Sequence, residues 1–404
     1  MGKGAEQLAR RQPIIDARVA LVHERLTEIG GSERVVEQLA RLCPNSSLFV
    51  PIADPTLRLN GLSDISIQTS GLQRLYAGGE HYAHLLPLLP MAMCNADLGQ
   101  PDVVVTSHHA FANRVRVPSG VPVVSYTHTP ARWMWQAAMR AGEGTLVSRS
   151  ALAAFSATQR AADRRAAARA HTIISNSRAV AHRVSLWWGR QAVVVPPPVD
   201  VVGFHPDPFV ERENFFLLAG RMVPYKQPQV AVEAARRAGV RLVVVGDGRM
   251  RAECERVAGP RTEFLGRVDD ATLLDLYRRC RALIFPGHED FGIVPVEAQA
   301  CGAPVIALGV GGVLDTVVPG VTGQLIDPRG EVVGNLAAAM IAFDPRSYSP
   351  FVIRRHAERF SEYAFHSRMA SVLSDVLVAT TRGRDERTIH LDGGDIQDTA
   401  AVGA

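Results

Sequence analysis

A chain of 404 residues is too long for one ordinary domain and suggests about two or three. Lysine and arginine total 44 against 40 acidic residues, a net charge of +4. That balance is too small and too evenly spread for a dedicated nucleic-acid binder, so no nucleic-acid partner is expected. The five cysteines (Cys43, Cys94, Cys254, Cys280, Cys301) lie far apart with no C-x-x-C pair, which argues against a thiolate zinc cluster and a disulfide framework. Lys3 and Lys226 are the only lysines; the other 42 basic side chains are arginine. A lysine in mid-chain therefore stands out. Residues 1–18 are mixed and polar, without the apolar core of a signal peptide. Apolar runs fall short of the roughly 18 residues of a spanning helix. These features predict a cytoplasmic protein, soluble or peripheral at the inner face of a membrane.

Short β-rich runs alternate with amphipathic stretches. Arg18 to His23 reads as a buried strand, followed by a loop with Gly30-Gly31 and a helix capped at Ser32, whose Val35, Val36, Leu39 and Leu42 keep helical spacing. Further strands are expected at 47–50, 102–106, 121–126 and 172–175. Val193 to Val199 carries three consecutive prolines, which suit a stiff connector rather than a strand or helix. The second half repeats the rhythm, with strands at 215–219, 241–245, 263–265, 282–285, 304–307 and 323–326. Helical patterns fill gaps such as 229–238 and 271–279. Alternating strands and helices imply an α/β fold of two doubly wound parallel sheets facing a cleft, with ligands beyond the carboxyl ends of the strands. The expected division is an extension over 1–17, a first domain over 18–205, a second domain over 206–349, a further helix over 350–379 and a disordered tail over 380–404.

The strongest local signal is HEDFGIVPVEAQACGAP, from His288 to Pro304. It follows a buried strand, and Pro295 suits the first turn of a helix. A helix start offers free N–H groups and a positive dipole end to anionic or hydroxyl-rich ligands. Glu289 and Glu297 flank it, eight positions apart. Alone they would pass for ordinary loop and first-turn glutamates. The second signal is LLAGRMVPYK, from Leu217 to Lys226. Arg221 and Lys226 fall past a strand end, where two cations can clamp a diphosphate.

These residues together resemble the retaining family-4 glycosyltransferases of the GT-B fold, over roughly Arg18 to Leu377. The carriers are Glu289-x7-Glu297, Cys301 to Ala307, Gly311-Gly312, Gly320 to Gly323, Gly246 to Gly248, and Gly220-Arg221 with Lys226. The resemblance implies a nucleotide-sugar donor. Glu297 would take the ribose hydroxyls and Glu289 the donor-sugar hydroxyls. Backbone N–H groups around Phe291, Gly292, Ile293 and Val294 would hold sugar and phosphate. Arg221 and Lys226 would neutralise the departing diphosphate, where negative charge grows in the transition state. A front-face substitution with retention is implied, with no cofactor and no essential divalent metal.

The N-terminal half is similar to a narrower group, mannosyltransferase-like enzymes of bacterial surface polysaccharide and glycolipid assembly. LVHERLTEIGGSERVVEQLARLCP (Leu21 to Pro44) and SYTHTPARWMW (Ser125 to Trp135) carry this likeness. It implies transfer of mannose from GDP-mannose to a glycan or lipid-linked acceptor. Gly30 and Gly31 would lie close to the donor phosphates, His128 would lie near the reacting sugar carbon, and Tyr126, Arg132 and Trp135 would stand on the acceptor side. His108 and His109 carry no comparable weight. Two alternatives share the fold: a nucleotide-sugar epimerase and a non-catalytic scaffold subunit of a glycan assembly complex. Between Arg140 and Arg169, six arginines (Arg140, Arg149, Arg160, Arg164, Arg165, Arg169) face only Glu143 and Asp163. This stretch is a solvated helix face or a contact for an anionic membrane surface.

Overall fold

The computed structural model describes residues 12–76, 78–136 and 146–392. Two all-parallel sheets organise them. The first contains β1 (Val19–His23), β2 (Ser46–Val50), β3 (Ser66–Thr69), β4 (Val103–His108), β5 (Val123–Thr127), β6 (Thr172–Ser175) and β7 (Val193–Val194), in the order β3-β2-β1-β4-β5-β6-β7. The second contains β8 (Phe216–Ala219), β9 (Leu242–Val245), β10 (Thr262–Gly266), β11 (Ala282–Phe285), β12 (Val305–Leu308) and β13 (Gly323–Ile326), in the order β10-β9-β8-β11-β12-β13. Both are Rossmann-like orders, and each reverses direction once, between β1 and β4 and between β8 and β11. Loops leaving those strands diverge there and open the crevice in which such sheets bind ligands.

Most strands are short apolar runs buried on both faces, as parallel sheets require. β4 (VVVTSH) is buried throughout, and β8, β11 and β12 likewise. Two strands went unread. β3 is an edge strand with every residue exposed, so it lacks a hydrophobic pattern. β7 is two residues long and abuts the prolines. The helix Gly31–Leu42 begins at Gly30 as N-cap rather than at Ser32. The Glu33 carboxylate reaches back to accept the Gly30 N–H (3.0 Å), the N3 half of a capping box.

The division also shifts. Ile14 and Ala17 are buried in the first core, so this domain starts ahead of Arg18. Val199, Val201 and Phe204 already belong to the second core. The first side chains of the second core thus precede the expected boundary at 205/206. The chain crosses back at Ser361, whose neighbour Phe360 accepts the Val199 N–H at 2.9 Å. The helix Glu362–Asp392 then packs Phe365, Met369, Ala370, Leu373 and Leu377 into the first core. It runs past the point where composition suggested a disordered tail; residues 393–404 lie outside the described residues. Among the described residues no helix is long and apolar enough to cross a membrane.

Candidate active site

The donor-side signals meet at the β8/β11 switch point. Lys226 closes the single turn Pro224–Lys226 after β8. Glu289 stands on the loop after β11. The Lys226 Nζ and Glu289 Oε1 atoms are 2.6 Å apart, with both side chains 17% exposed. A cavity beside them is lined by Gly220, Arg221, Lys226, Gly287 and Glu289. Arg221 is exposed and reaches across to Glu28 of the first domain at 3.3 Å. Such a pair is weak and yields readily to a ligand. Gln227, just past Lys226, has φ 49° and is the only non-glycine residue with positive φ among those described. It precedes Pro228, which disfavours helical backbone in the residue before it, so the turn that aims Lys226 is strained. Gln227→Gly is expected to raise the stability of this domain by about 1 kcal/mol, read as a later urea midpoint at unchanged slope.

The helix Ile293–Ala300 begins at Gly292 and points its start into the same region. Its first-turn N–H groups have no acceptor inside the helix. A Cβ added at Gly312 would fall 2.3 Å from the Asp290 carbonyl oxygen, so the Gly311-Gly312 backbone can lie directly on the Glu289 loop. Glu297, one turn into the helix, is half-buried and accepts the Tyr277 hydroxyl at 3.2 Å. Burial pushes its carboxyl up to about 7; Arg34 from the opposing domain and the Tyr277 hydrogen bond pull the other way. Tyr277 went unnoticed in the sequence because a tyrosine on an amphipathic helix reads as core, and it is indeed fully buried.

The other wall carries His128, 8% exposed and just past β5. Burial, then the neighbouring His23, push its imidazole down to about 3, so it is neutral at ordinary pH. His109, which drew no weight in the sequence, stacks on it with ring centroids 4.5 Å apart. Glu24, also unflagged, holds the turn bearing His109. One carboxylate oxygen accepts N–H groups from His109, Ala110, Phe111 and Ala112 at 2.7–3.1 Å. A Cβ at Gly31 would come within 2.7 Å of Ile293 Cδ1, so the glycine loop faces the start of the donor-side helix across the cleft. Gly30 is fixed in the same loop by Glu33.

Two acceptor-side expectations, Tyr126 and Trp135, need correction. Tyr126 is fully buried; its hydroxyl donates to the Val195 carbonyl and its ring packs on Phe365. It lies too deep in β5 to meet an acceptor. The Trp135 indole N–H donates to Asp163 at 2.8 Å and its ring stacks on Trp187, which makes it a packing residue. Arg132 donates to the His288 carbonyl at 3.2 Å and faces Asp290 at 3.4 Å. Arg183 pairs with the same Asp290 carboxylate and also donates to Thr129, next to His128. Asp290 thus ties the Glu289 loop to the His128 loop through two largely buried arginines. Asp290→Asn is expected to cost about 2 kcal/mol, as for a hydrogen bond to a charged group. Small-angle scattering should show the variant more open without ligand.

Three arginines of the basic stretch also make contacts within the first domain. Arg160, Arg164 and Arg169 donate to the carbonyls of Met134, Trp187 and Asn113. Arg160 and Arg164 also cover the Trp135 ring. Arg164, Arg165 and Arg169 nonetheless stay exposed. Arg140 lies outside the described residues. Among the described residues no group of three or more His, Cys, Asp or Glu is placed to hold a metal ion.

Two Rossmann-like sheets, each with its switch-point loops turned to a shared cleft, define the GT-B class of fold. Known proteins agree with that class. Residues 29–202 match the family model Glycosyltransferase Family 4, and residues 204–348 match Glycosyl transferases group 1. The fold is thus of the GT-B type, and each half of the chain is similar to a glycosyltransferase family. D-inositol 3-phosphate glycosyltransferase of Mycobacterium bovis (strain BCG) is 36% identical over 170 residues, covering 36% of this chain and 35% of that protein. The chain thus spans about a third of the length of the curated relatives it matches. Sucrose-phosphate synthase from Thermosynechococcus elongatus superposes with a TM-score of 0.68 at 21% identity, over 89% of this chain and 99% of that one. HepE from Anabaena, solved with UDP and glucose, gives 0.63 at 17% identity over the same shares.

Proposed function

We propose that the protein transfers a hexose from a nucleoside-diphosphate sugar to a glycan or lipid-linked acceptor, with retention of configuration. The observation that carries this reading is the convergence of Lys226, Glu289 and the start of the helix Ile293–Ala300 on one cleft wall, with neutral His128 on the other. HepE, of the same fold, was solved with UDP and glucose, which supports a nucleotide-sugar donor. Mannose from GDP-mannose is the donor we favour, on the likeness of Leu21 to Pro44 and Ser125 to Trp135 to bacterial mannosyltransferases.

In this reading the diphosphate lies between Lys226, Arg221 and the helix start, which together supply the positive charge the leaving group needs. The reaction needs no metal when these groups carry it. Glu289 turns from Lys226 to the sugar hydroxyls as the phosphate takes the ammonium. Glu297 holds the ribose. The departing phosphate takes the proton of the acceptor hydroxyl as the new bond forms on the same face.

A panel of GDP, UDP and ADP sugars, each with a membrane-extracted acceptor, tests the proposal through release of the nucleoside diphosphate. GDP-mannose is expected to give the fastest release and an α-linked product. Conversion of the donor with no acceptor present would instead establish an epimerase. A chain that binds no nucleotide would establish a scaffold. Membrane attachment is tested by co-sedimentation with anionic and neutral vesicles; equal recovery from both would exclude it.

A further inference from the structure

His128 is held from below by a line of buried side chains from three separate segments. The sheet register sets His23, the last residue of β1, opposite Ser107 on β4. Glu33 Oε1 lies 3.2 Å from His23 Nε2. His23 Nδ1 lies 3.0 Å from Ser107 Oγ. Ser107 Oγ lies 2.8 Å from His128 Nε2. His23, Ser107 and Glu33 are 0%, 1% and 3% exposed, so bulk water does not compete for these bonds. The His109 ring covers one face of His128 and fixes its plane.

The direction of the line follows from what each group can donate. Burial opposes charge on Glu33. The hydrogen bonds of His23 and of the Ser32 hydroxyl outweigh it and hold the carboxyl below its usual range. An ionised carboxylate only accepts, so His23 Nε2 donates to it. With Nε2 donating to the carboxylate, His23 presents Nδ1 to the Ser107 hydroxyl at 3.0 Å, and the line proposed below has Nδ1 accept that hydroxyl. Ser107 Oγ in turn accepts from His128 Nε2–H.

We propose that Glu33, His23 and Ser107 are positioning residues that hold His128 as the Nε2–H tautomer, with its Nδ1 lone pair free to accept a hydrogen bond from a sugar hydroxyl in the cleft. The inference rests on the transferase reading for the identity of that hydroxyl, while the tautomer itself does not. No bond is made or broken along the line. Its effect is to set ring orientation and to make the same nitrogen an acceptor at every turnover.

The test uses the full chain labelled with 15N-histidine, its His128 signals assigned by their loss in His128→Gln. Long-range proton–nitrogen correlation should show His128 protonated at Nε2 and bare at Nδ1. Ser107→Ala should leave a mixture of both tautomers. It should also lower kcat roughly 10- to 100-fold with donor KM little changed, the scale of a misplaced reacting group. Ser107→Thr, which keeps the hydroxyl, should restore both readouts and shows that the site tolerates substitution. A wild-type His128 protonated at Nδ1 would overturn the relay. So would a Ser107→Ala variant that folds with spectrum and kcat unchanged. Absence of transfer by the wild-type chain from every donor overturns the transferase reading alone, because the imidazole spectrum reads the relay without substrate.

Discussion

Lys226→Ala is expected to lower kcat by about two to three orders of magnitude, the size seen when a donor aimed at developing transition-state charge is removed. The residue is set apart by both composition and placement. In a chain with 42 arginines, a lysine is kept at the end of a strained turn, 2.6 Å from Glu289. Its ammonium is a compact charge that can leave a carboxylate for a phosphate within one short swing. Space there is limited: a Cβ at Gly220 would stand 3.4 Å from Nζ, and one at Gly287 would stand 3.1 Å from the Lys226 Cα. Lys226→Arg is therefore expected to recover only part of the rate, since a planar fork needs more room. Single-turnover kinetics with saturating donor separate this loss from weaker binding. Turnover within a few-fold of wild type in Lys226→Ala would remove this residue from the reaction.

Glu297→Ala is expected to cost about the same in turnover, and its amide variant adds a signature in stability. The carboxyl is held at about 7 instead of its ordinary 4.5, chiefly by burial. A folded-state value above the unfolded one means that folding favours the protonated form. The contribution is fully present below about 4.5 and is lost as pH rises through about 7. Glu297→Gln cannot ionise and escapes that loss. At pH 8 it should be more stable than wild type by up to about 3 kcal/mol, and the two should converge below about pH 4.5. Nucleotide binding should run the opposite way. Two ribose hydroxyls need the carboxylate as acceptor, so wild-type affinity should fall about tenfold per pH unit below 7, and that slope should vanish in Glu297→Gln. A stability difference between the two proteins that stays flat with pH would contradict this account.

The buried strands could be read from the sequence because parallel strands are apolar on both faces, a property each carries within four or five residues. The exposed edge strand β3 has no such mark and was invisible. The donor wall was equally readable, since Glu289, the helix start and Glu297 lie in nine consecutive residues. On the opposite wall Gly30, Gly31 and His128 were singled out through the resemblance, but the residues behind His128 were not. Glu33, His23, Ser107 and His128 come from β1, the following helix, β4 and the loop after β5, and a buried strand histidine looks the same in sequence as any core residue. Tyr126 was misread for the same kind of reason: what buries it is Phe365, over two hundred residues later in the chain. Asp290 sits between two residues that were singled out. Its arginine partners, Arg132 and Arg183, are found only when the domains are placed face to face.

The two chain crossings bear on how the cleft opens. At Val199 and Phe360 they run side by side and are joined by a backbone hydrogen bond, with three prolines stiffening the outgoing strand. Two linked passages define an axis where a single linker would define only a pivot point. Motion between the halves is then restricted to rotation about that line, and independent twisting is resisted. Such a rotation moves the Asp290 loop and the His128 loop apart along one arc and returns them in the same register. A disulfide or crosslink placed across Asp290 and Arg183 would therefore hold the whole interface closed, whereas one placed near Val199 would leave the swing almost untouched.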